Sequence, residues 1–258
     1  MGKVYLVGAG PGAADLLTVR AVRILARADI VFHDALIEPE VIALAARAQR
    51  VAVGKRCGQH STAQAFISKR LVDAARKHAV VVRLKGGDPM LFGRAQEEID
   101  ALRAAGVPFE VVSGVTAALA AAAALGVSLS RRGVARSVAF ATPRVGANER
   151  ESNWADALTR ADTGAIYMGA SEAAAVAAEL LARGKPGRLP VVAVENASLP
   201  GSRHWLTTLA ELPRLAAVAF AGPVVLLFGE VFAAARRGER DDAEDGQGLT
   251  ADRRRAGR

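Results

Sequence analysis

Apolar and polar positions along this chain follow two alternating rhythms. Short apolar runs at Val4 to Val7, Ile30 to Phe32, Val51 to Val53, Val80 to Leu84 and Phe109 to Val112 have the length and β-branched content of buried strands. Between them the period changes to that of a helix. Leu17, Ala21, Ile24, Leu25 and Ala28 share one face of the first such stretch, and Arg20, Arg23 and Arg27 the other, which makes a strand–helix–strand unit. A second helix opens at Ser61 or Thr62 as N-cap and buries Ile67, Leu71, Ala74 and Ala75. A third runs from Arg94 to Ala105 and ends on Gly106.

After Ser113-Gly114 an alanine-rich helix begins a second series. Ser137 to Ala141, Ala165 to Met168, Val191 to Val194, Trp205 to Thr208 and Val224 to Phe228 read as strands. Trp154 to Arg160, Ser171 to Arg183 and Leu209 to Ala217 read as helices. The fold class is therefore α/β, with two α/β domains at residues 1–114 and 115–236. The remainder, 237–258, mixes charge and glycine with few apolar residues and is expected to be disordered.

Composition narrows the function. With 51% hydrophobic residues over 258 positions the chain can close packed cores, and 5% aromatic residues do not suit a base-stacking nucleic-acid platform. The single cysteine, Cys57, can form neither an internal disulfide nor a cysteine-rich metal site, which fits a reducing, cytoplasmic compartment. His33, His60, His78 and His204 lack ligand spacing, so no metal is expected. The first residues pass directly into a strand and glycines and do not read as a signal peptide, and no run is long enough to span a membrane. The net charge of +8 lies mostly in the body of the chain. From Val111 to Asn148 there are Arg131, Arg132, Arg136 and Arg144 and no acid, which makes either a solvated basic face or a pocket for an acidic ligand.

Three loops at strand carboxyl ends carry candidate chemistry. Gly8-Ala9-Gly10-Pro11-Gly12-Ala13 meets the dinucleotide-binding spacing, with Asp29 and Asp34 about 20 residues on. Pro11 counts against that reading, because a proline presents no N–H to a pyrophosphate. Arg83-Leu84-Lys85-Gly86-Gly87-Asp88-Pro89 leaves backbone open to a ligand, with Asp88 able to accept from an amine or hydroxyl. Gly54-Lys55-Arg56-Cys57-Gly58-Gln59-His60-Ser61 is rich in proton-moving groups, and Asp34 follows a fourth strand. From the residues alone, a ligand-binding enzyme, a nicotinamide or flavin oxidoreductase and a polyanion-binding module all stay open.

Together these motifs resemble the tetrapyrrole methylases. The resemblance rests on Val7 to Gly12 with Asp15-Leu16-Leu17-Thr18, on Asp29 through Asp34, on Gly54-Lys55-Arg56 with Gly58, His60-Ser61 and Gln64, and on Arg83 through Pro89 with Phe92-Gly93-Arg94 and Glu97-Glu98. It continues through Gly114-Val115-Thr116-Ala117, Tyr167-Met168-Gly169 and Val194-Glu195-Asn196, and spans Val4 to Gly229. It implies two α/β domains with a ligand cleft between them, usually as a homodimer. It also implies transfer of two methyl groups from S-adenosylmethionine to carbons 2 and 7 of uroporphyrinogen III, giving precorrin-2, or else a later precorrin C-methylation. The partners implied are a small tetrapyrrole and a second copy, with no nucleic acid and no membrane. Carried over, the cofactor positions are Pro11, Gly86, Gly87, Asp88, Leu91, Thr116, Ala117, Met168 and Ala197, and the proton-handling residues are Asp34 and Lys55. The chain departs from the family pattern at Met90, Ala95-Gln96, Ser130-Arg131-Arg132, Thr142-Pro143-Arg144 and Ala197.

Overall fold

The computed structural model describes residues 1–53, 62–146 and 152–233. The chain divides into two compact units, Met1–Ala117 and Ala118–Arg258. The tail expected to be disordered and the Gly54 to Ser61 loop, Lys55 included, lie outside the described residues.

The first unit is a five-stranded sheet of β1 (Lys3–Gly8), β2 (Ile30–His33), β3 (Gln49–Ala52), β4 (Val80–Lys85) and β5 (Phe109–Val112), ordered β3-β2-β4-β1-β5. All of its pairings are parallel. Its helices are α1 (Val19–Leu25), the short α2 (Pro39–Ala43), α3 (Thr62–Ala75) and α4 (Ala95–Ala104). Alternation along the strands fills both faces. Tyr5, Val7, Val82 and Leu84 pack with Ala21, Ile24 and Leu25 of α1, while Val4, Leu6 and Val81 pack with Ile67 and Leu71 of α3 and Leu102 of α4. Helix α1 is shorter than the apolar period suggests, because Thr18 caps it by accepting from the Ala21 N–H at 3.1 Å. Gly106 ends the α4 segment with φ of 65°, a conformation that only glycine adopts at little cost.

The second unit is a mixed sheet of β6 (Val138–Ala141), β7 (Thr163–Tyr167), β8 (Pro190–Glu195), β9 (Arg203–Thr208) and β10 (Val224–Gly229), ordered β6-β7-β10-β8-β9. Strands β6 and β7 are parallel, whereas β10 runs antiparallel to both β7 and β8. Helices α5 (Ala117–Ala124), α6 (Trp154–Arg160) and α7 (Ala173–Ala182) accompany it. Leu158, Val176, Leu180, Ile166, Leu226 and Phe228 form its core on one face. The helix expected over Leu209 to Ala217 is instead a tight 3₁₀ stretch, Leu212–Ala217. Its first residues pair elsewhere: the Leu209 N–H donates to Leu189 and that of Ala210 to Gly187, both at 2.9 Å.

Asp162 ties β6 to the start of β7. It accepts from the backbone N–H groups of Arg136 (2.8 Å) and Ser137 (3.0 Å) and from the Ser137 hydroxyl (2.8 Å). Those bonds, the Arg136 amide first, hold its carboxyl below the usual value. A depressed folded-state pKa means that the stabilisation is present above the unfolded carboxyl value of about 3.9 and is lost as pH falls through the folded one. The difference in melting temperature between wild type and Asp162→Asn should therefore be largest near neutrality and shrink on acidification. A pH-independent difference would assign the effect to shape alone.

Candidate functional site

In an all-parallel sheet every strand ends at the same edge, so the loops after β1, β2, β4 and β5 share one rim. Asp34 follows β2, Pro11 follows β1, Gly86, Gly87, Asp88 and Leu91 follow β4, and Thr116 and Ala117 follow β5. Backbone contacts join these loops directly. Gly10 and Gly87 exchange hydrogen bonds, N–H to carbonyl, at 3.2 and 2.7 Å. The Asp88 carboxylate accepts from the Gly114 N–H at 3.0 Å through Oδ2 and from the Met90 N–H at 2.8 Å through Oδ1. A β-carbon placed on Gly87 would meet the Cα of Thr116 at 4.0 Å, and one on Gly86 would meet Ile37 Cδ1 at 3.9 Å. The structure thus places the described candidate residues of the first unit on one rim, where a β-carbon on either glycine would make no more than ordinary van der Waals contact.

Gly8, Gly87 and Gly114 meet with no side chain between them. A β-carbon on Gly8 would fall 2.6 Å from the Gly114 nitrogen and 2.7 Å from the Gly87 carbonyl oxygen. This geometry also argues against the dinucleotide reading of the first loop. The N–H and carbonyl of Gly10 are engaged by Gly87, and α1 begins only at Val19, so the glycines do not deliver a helix N-terminus to a pyrophosphate.

Asp34 is partly exposed and held by a buried cation. Arg83 donates to Asp34 Oδ1 from a terminal nitrogen at 2.5 Å and to Glu98 Oε1 from Nε at 2.9 Å. Lys85 reaches both Glu98 oxygens, at 3.1 and 3.2 Å, and Gln64 donates to Glu98 at 3.0 Å. Burial opposes the charge on Arg83, but the carboxylates of Asp34 and Glu98 outweigh it and hold its pKa above the ordinary guanidinium value. Burial pushes the Lys85 ammonium below its ordinary value, helped by the Arg83 cation and opposed by Glu98. Two cations and two carboxylates balance, as a buried cluster requires. Sequence reasoning passed over Arg83, Lys85, Gln64 and Glu98 as working groups. The available signal was two cations, two residues apart, inside an otherwise apolar strand.

In the second unit, β6, β7 and β8 run in one sense, because β10 is antiparallel to both β7 and β8. Met168, after β7, and Ala197, after β8, therefore sit at one edge of that sheet. Met168 is 42% exposed in a left-handed conformation, φ 57°. Asn196 and Ser198 are also left-handed, at 51° and 76°, whereas Ala197 between them is not, so a β-carbon is accommodated there. The loop is anchored by buried Glu195, which accepts from the Ala221 N–H, from the Gly222 N–H at 2.8 Å and from Arg203 Nε at 2.8 Å. The Tyr167 hydroxyl accepts from the Ala118 N–H at 3.1 Å at the start of α5.

Residues 3–213 match the family model described as Tetrapyrrole (Corrin/Porphyrin) Methylases. Siroheme synthase of Azotobacter vinelandii is 42% identical over 233 residues, covering 90% of this chain and 50% of that protein. The chain thus spans about half the length of the curated relatives it matches. Among solved structures, uroporphyrin-III C-methyl transferase from Thermus thermophilus, complexed with S-adenyl homocysteine, is 39% identical. It superposes with a TM-score of 0.80 over 90% of this chain and 100% of that one. A cobalt precorrin-4 methyltransferase is 28% identical with a TM-score of 0.77, over 89% of this chain and 95% of that one.

Proposed function

The chain belongs to the tetrapyrrole (corrin/porphyrin) methylases, and from that membership we propose that it methylates uroporphyrinogen III at carbons 2 and 7 from S-adenosylmethionine, giving precorrin-2. The observation that carries this reading is the likeness, along nearly the whole of both chains, to a uroporphyrin-III C-methyl transferase bound to the demethylated cofactor. The glycine rim fits such a cofactor, since the absence of side chains at Gly86 and Gly87 lets a ligand approach the backbone there closely. The residues proposed for cofactor binding are Pro11, Gly86, Gly87, Asp88, Leu91, Thr116, Ala117, Met168 and Ala197. When bound, the cofactor supplies an electrophilic methyl group.

This chain's own residues then position the acceptor and handle its proton. In-line displacement at a sulfonium needs little acid–base help, so positioning supplies much of the rate. The methylated pyrrole must lose a proton, and Asp34 is suited to take it. Arg83 holds Oδ1, and the side chain remains 32% exposed. Asp88 shapes the cofactor loop through its bonds to Gly114 and Met90. Lys55 is proposed as the second proton-handling group, beside an anionic substrate. Lys55→Arg would keep the charge there and lose the proton donor.

Arg131, Arg132, Arg136 and Arg144 are all exposed, and we assign at least one of them to the carboxylates of the macrocycle. Single alanine substitutions should raise KM for uroporphyrinogen, weaken its salt dependence and spare cofactor affinity. Four silent substitutions would return this segment to a solvated face. A cytoplasmic homodimer is part of the same reading. It is supported by exposed Leu119 (52%), Val138 (38%) and Phe140 (38%), which line an open apolar hollow of ≈ 560 Å³ in the second unit. Among the described residues no helix is long and apolar enough to cross a membrane.

The deciding experiment incubates the protein with S-adenosylmethionine and uroporphyrinogen III and counts methyl groups by mass. Calorimetry runs in parallel with S-adenosylhomocysteine, NAD and an oligonucleotide. Addition of two methyl groups supports the proposal. The likeness to a cobalt precorrin-4 methyltransferase favours one competitor, an enzyme of later corrin methylation. Cofactor binding with no methylation of uroporphyrinogen III, but methylation of an already methylated precorrin, would select it.

A further inference from the structure

We propose that Glu98 is a positioning residue for Asp34, acting through the guanidinium of Arg83. The inference deepens the functional reading above and rests on its assignment of Asp34 to the substrate's proton. It starts from strand geometry. In β4, residues 81, 83 and 85 share one face, the face that packs against α3 and α4. Arg83 and Lys85 therefore project into the layer where α4 presents Glu98 and α3 presents Gln64. In register, Phe32 of β2 lies beside Arg83, so Asp34, two residues on, falls on the same face at the carboxyl rim.

Glu98 fixes the guanidinium at one end. Its Oε1 accepts from Arg83 Nε at 2.9 Å, and Arg83 Nη1 donates to the Leu84 carbonyl at 3.0 Å. A guanidinium is planar and rigid, so fixing two of its nitrogens fixes the direction of the third. That third nitrogen meets Asp34 Oδ1. Lys85 and Gln64 in turn hold Glu98, so the anchor is itself anchored. Exposure rises along the chain of contacts, from 0% at the Glu98 side chain through 3% at Arg83 to 32% at Asp34. Glu98 is thus shut off from any substrate, and the contact by which it reaches Asp34 is the guanidinium of Arg83.

The test compares two double variants of equal charge in the full chain. Lys85→Met/Glu98→Leu and Lys85→Met/Glu98→Gln each remove one buried cation and one buried anion, leaving Arg83 and Asp34 to balance one another. Replacing a buried ion pair by apolar groups of similar volume is often tolerated, whereas removing one partner alone is not. The variants differ at Arg83 Nε: glutamine keeps an acceptor there and leucine does not. Both are expected to melt cooperatively and to bind S-adenosylhomocysteine as the wild type does. Misplacement of a reacting group by about 1 Å can cost about 10²-fold, so the leucine form should lose that order of kcat with little change in KM. The glutamine form should be the faster by at least about tenfold, the signature of an orienting acceptor rather than of lost charge or packing. Equal kcat in the two forms, whether both fast or both slow, would overturn the proposal. If the leucine form does not fold, Lys85→Met/Glu98→Met, which fills a similar volume without an oxygen acceptor for Nε, takes its place in the same comparison. Absence of methyl transfer by the wild type in the same assay would count against the functional reading instead.

Discussion

Asp34→Asn should slow single-turnover methyl transfer by about 10² to 10⁴-fold, the usual cost of losing a general base, while S-adenosylhomocysteine binds as before. The substitution is close to isosteric, and the asparagine oxygen can still accept from Arg83 as Oδ1 does now at 2.5 Å. What disappears is the negative charge and the ability to take a proton. The alternative role gives a different pattern. If Asp34 serves only to orient a ring N–H or Lys55, asparagine retains most of the rate and Asp34→Ala loses it. Rapid-quench measurement of one turnover, with cofactor affinity determined separately, distinguishes the two. A wild-type rate in both variants would remove Asp34 from the chemistry.

The second large effect is expected at Gly114. A β-carbon there would lie 2.3 Å from the Gly87 carbonyl oxygen and 2.9 Å from the Gly8 Cα, and all of these neighbours are backbone. Gly114→Ala must therefore push the Gly86-Gly87-Asp88 loop away from the turn that now donates to Asp88. Affinity for S-adenosylhomocysteine should fall by about 10²-fold or more, equivalent to about 2.8 kcal/mol. Gly87→Ala makes a revealing companion. At φ of 65° it adds strain of about 1–2 kcal/mol, but its nearest neighbour would be 4.0 Å away. Calorimetric titration of both variants should rank Gly114→Ala as the worse. The reverse order would mean that the ligand needs the space over Gly87 more than it needs the junction beneath.

Strands were the most legible feature of the sequence, because parallel strands buried on both faces write themselves as apolar runs such as Val80 to Leu84. Helix limits were less so. Leu17 and Ala28 keep the apolar period of α1 but lie beyond its ends, where Thr18 and the turn before β2 take the backbone bonds. The five-residue α2 is too short for a period to declare it. Of the candidate site, the glycine and aspartate loops could be read because their residue types are unusual at strand ends. The cluster beneath them could not. Arg83, Lys85 and Glu98 are distinguished from surface charges only by burial, which depends on α3 and α4 both packing over β4. Asp88 was read as a ligand group, and its bonds to Gly114 and Met90 were invisible without the fold.

The strand order of the first sheet has a consequence for biosynthesis. Strand β1 is synthesised before both of its partners, which pair Lys3 with Val80 and Val4 with Phe109. Until those segments emerge, Val4 to Val7 have no neighbouring strand, and each pairing must close a long loop, which slows folding. The nascent chain is thus exposed to aggregation through most of the synthesis of its first unit. The glycine junction is later still, since Gly114 follows β5. Binding competence should therefore switch on abruptly with chain length, and ribosome-stalled chains ending before β5 clears the exit tunnel should capture no S-adenosylhomocysteine.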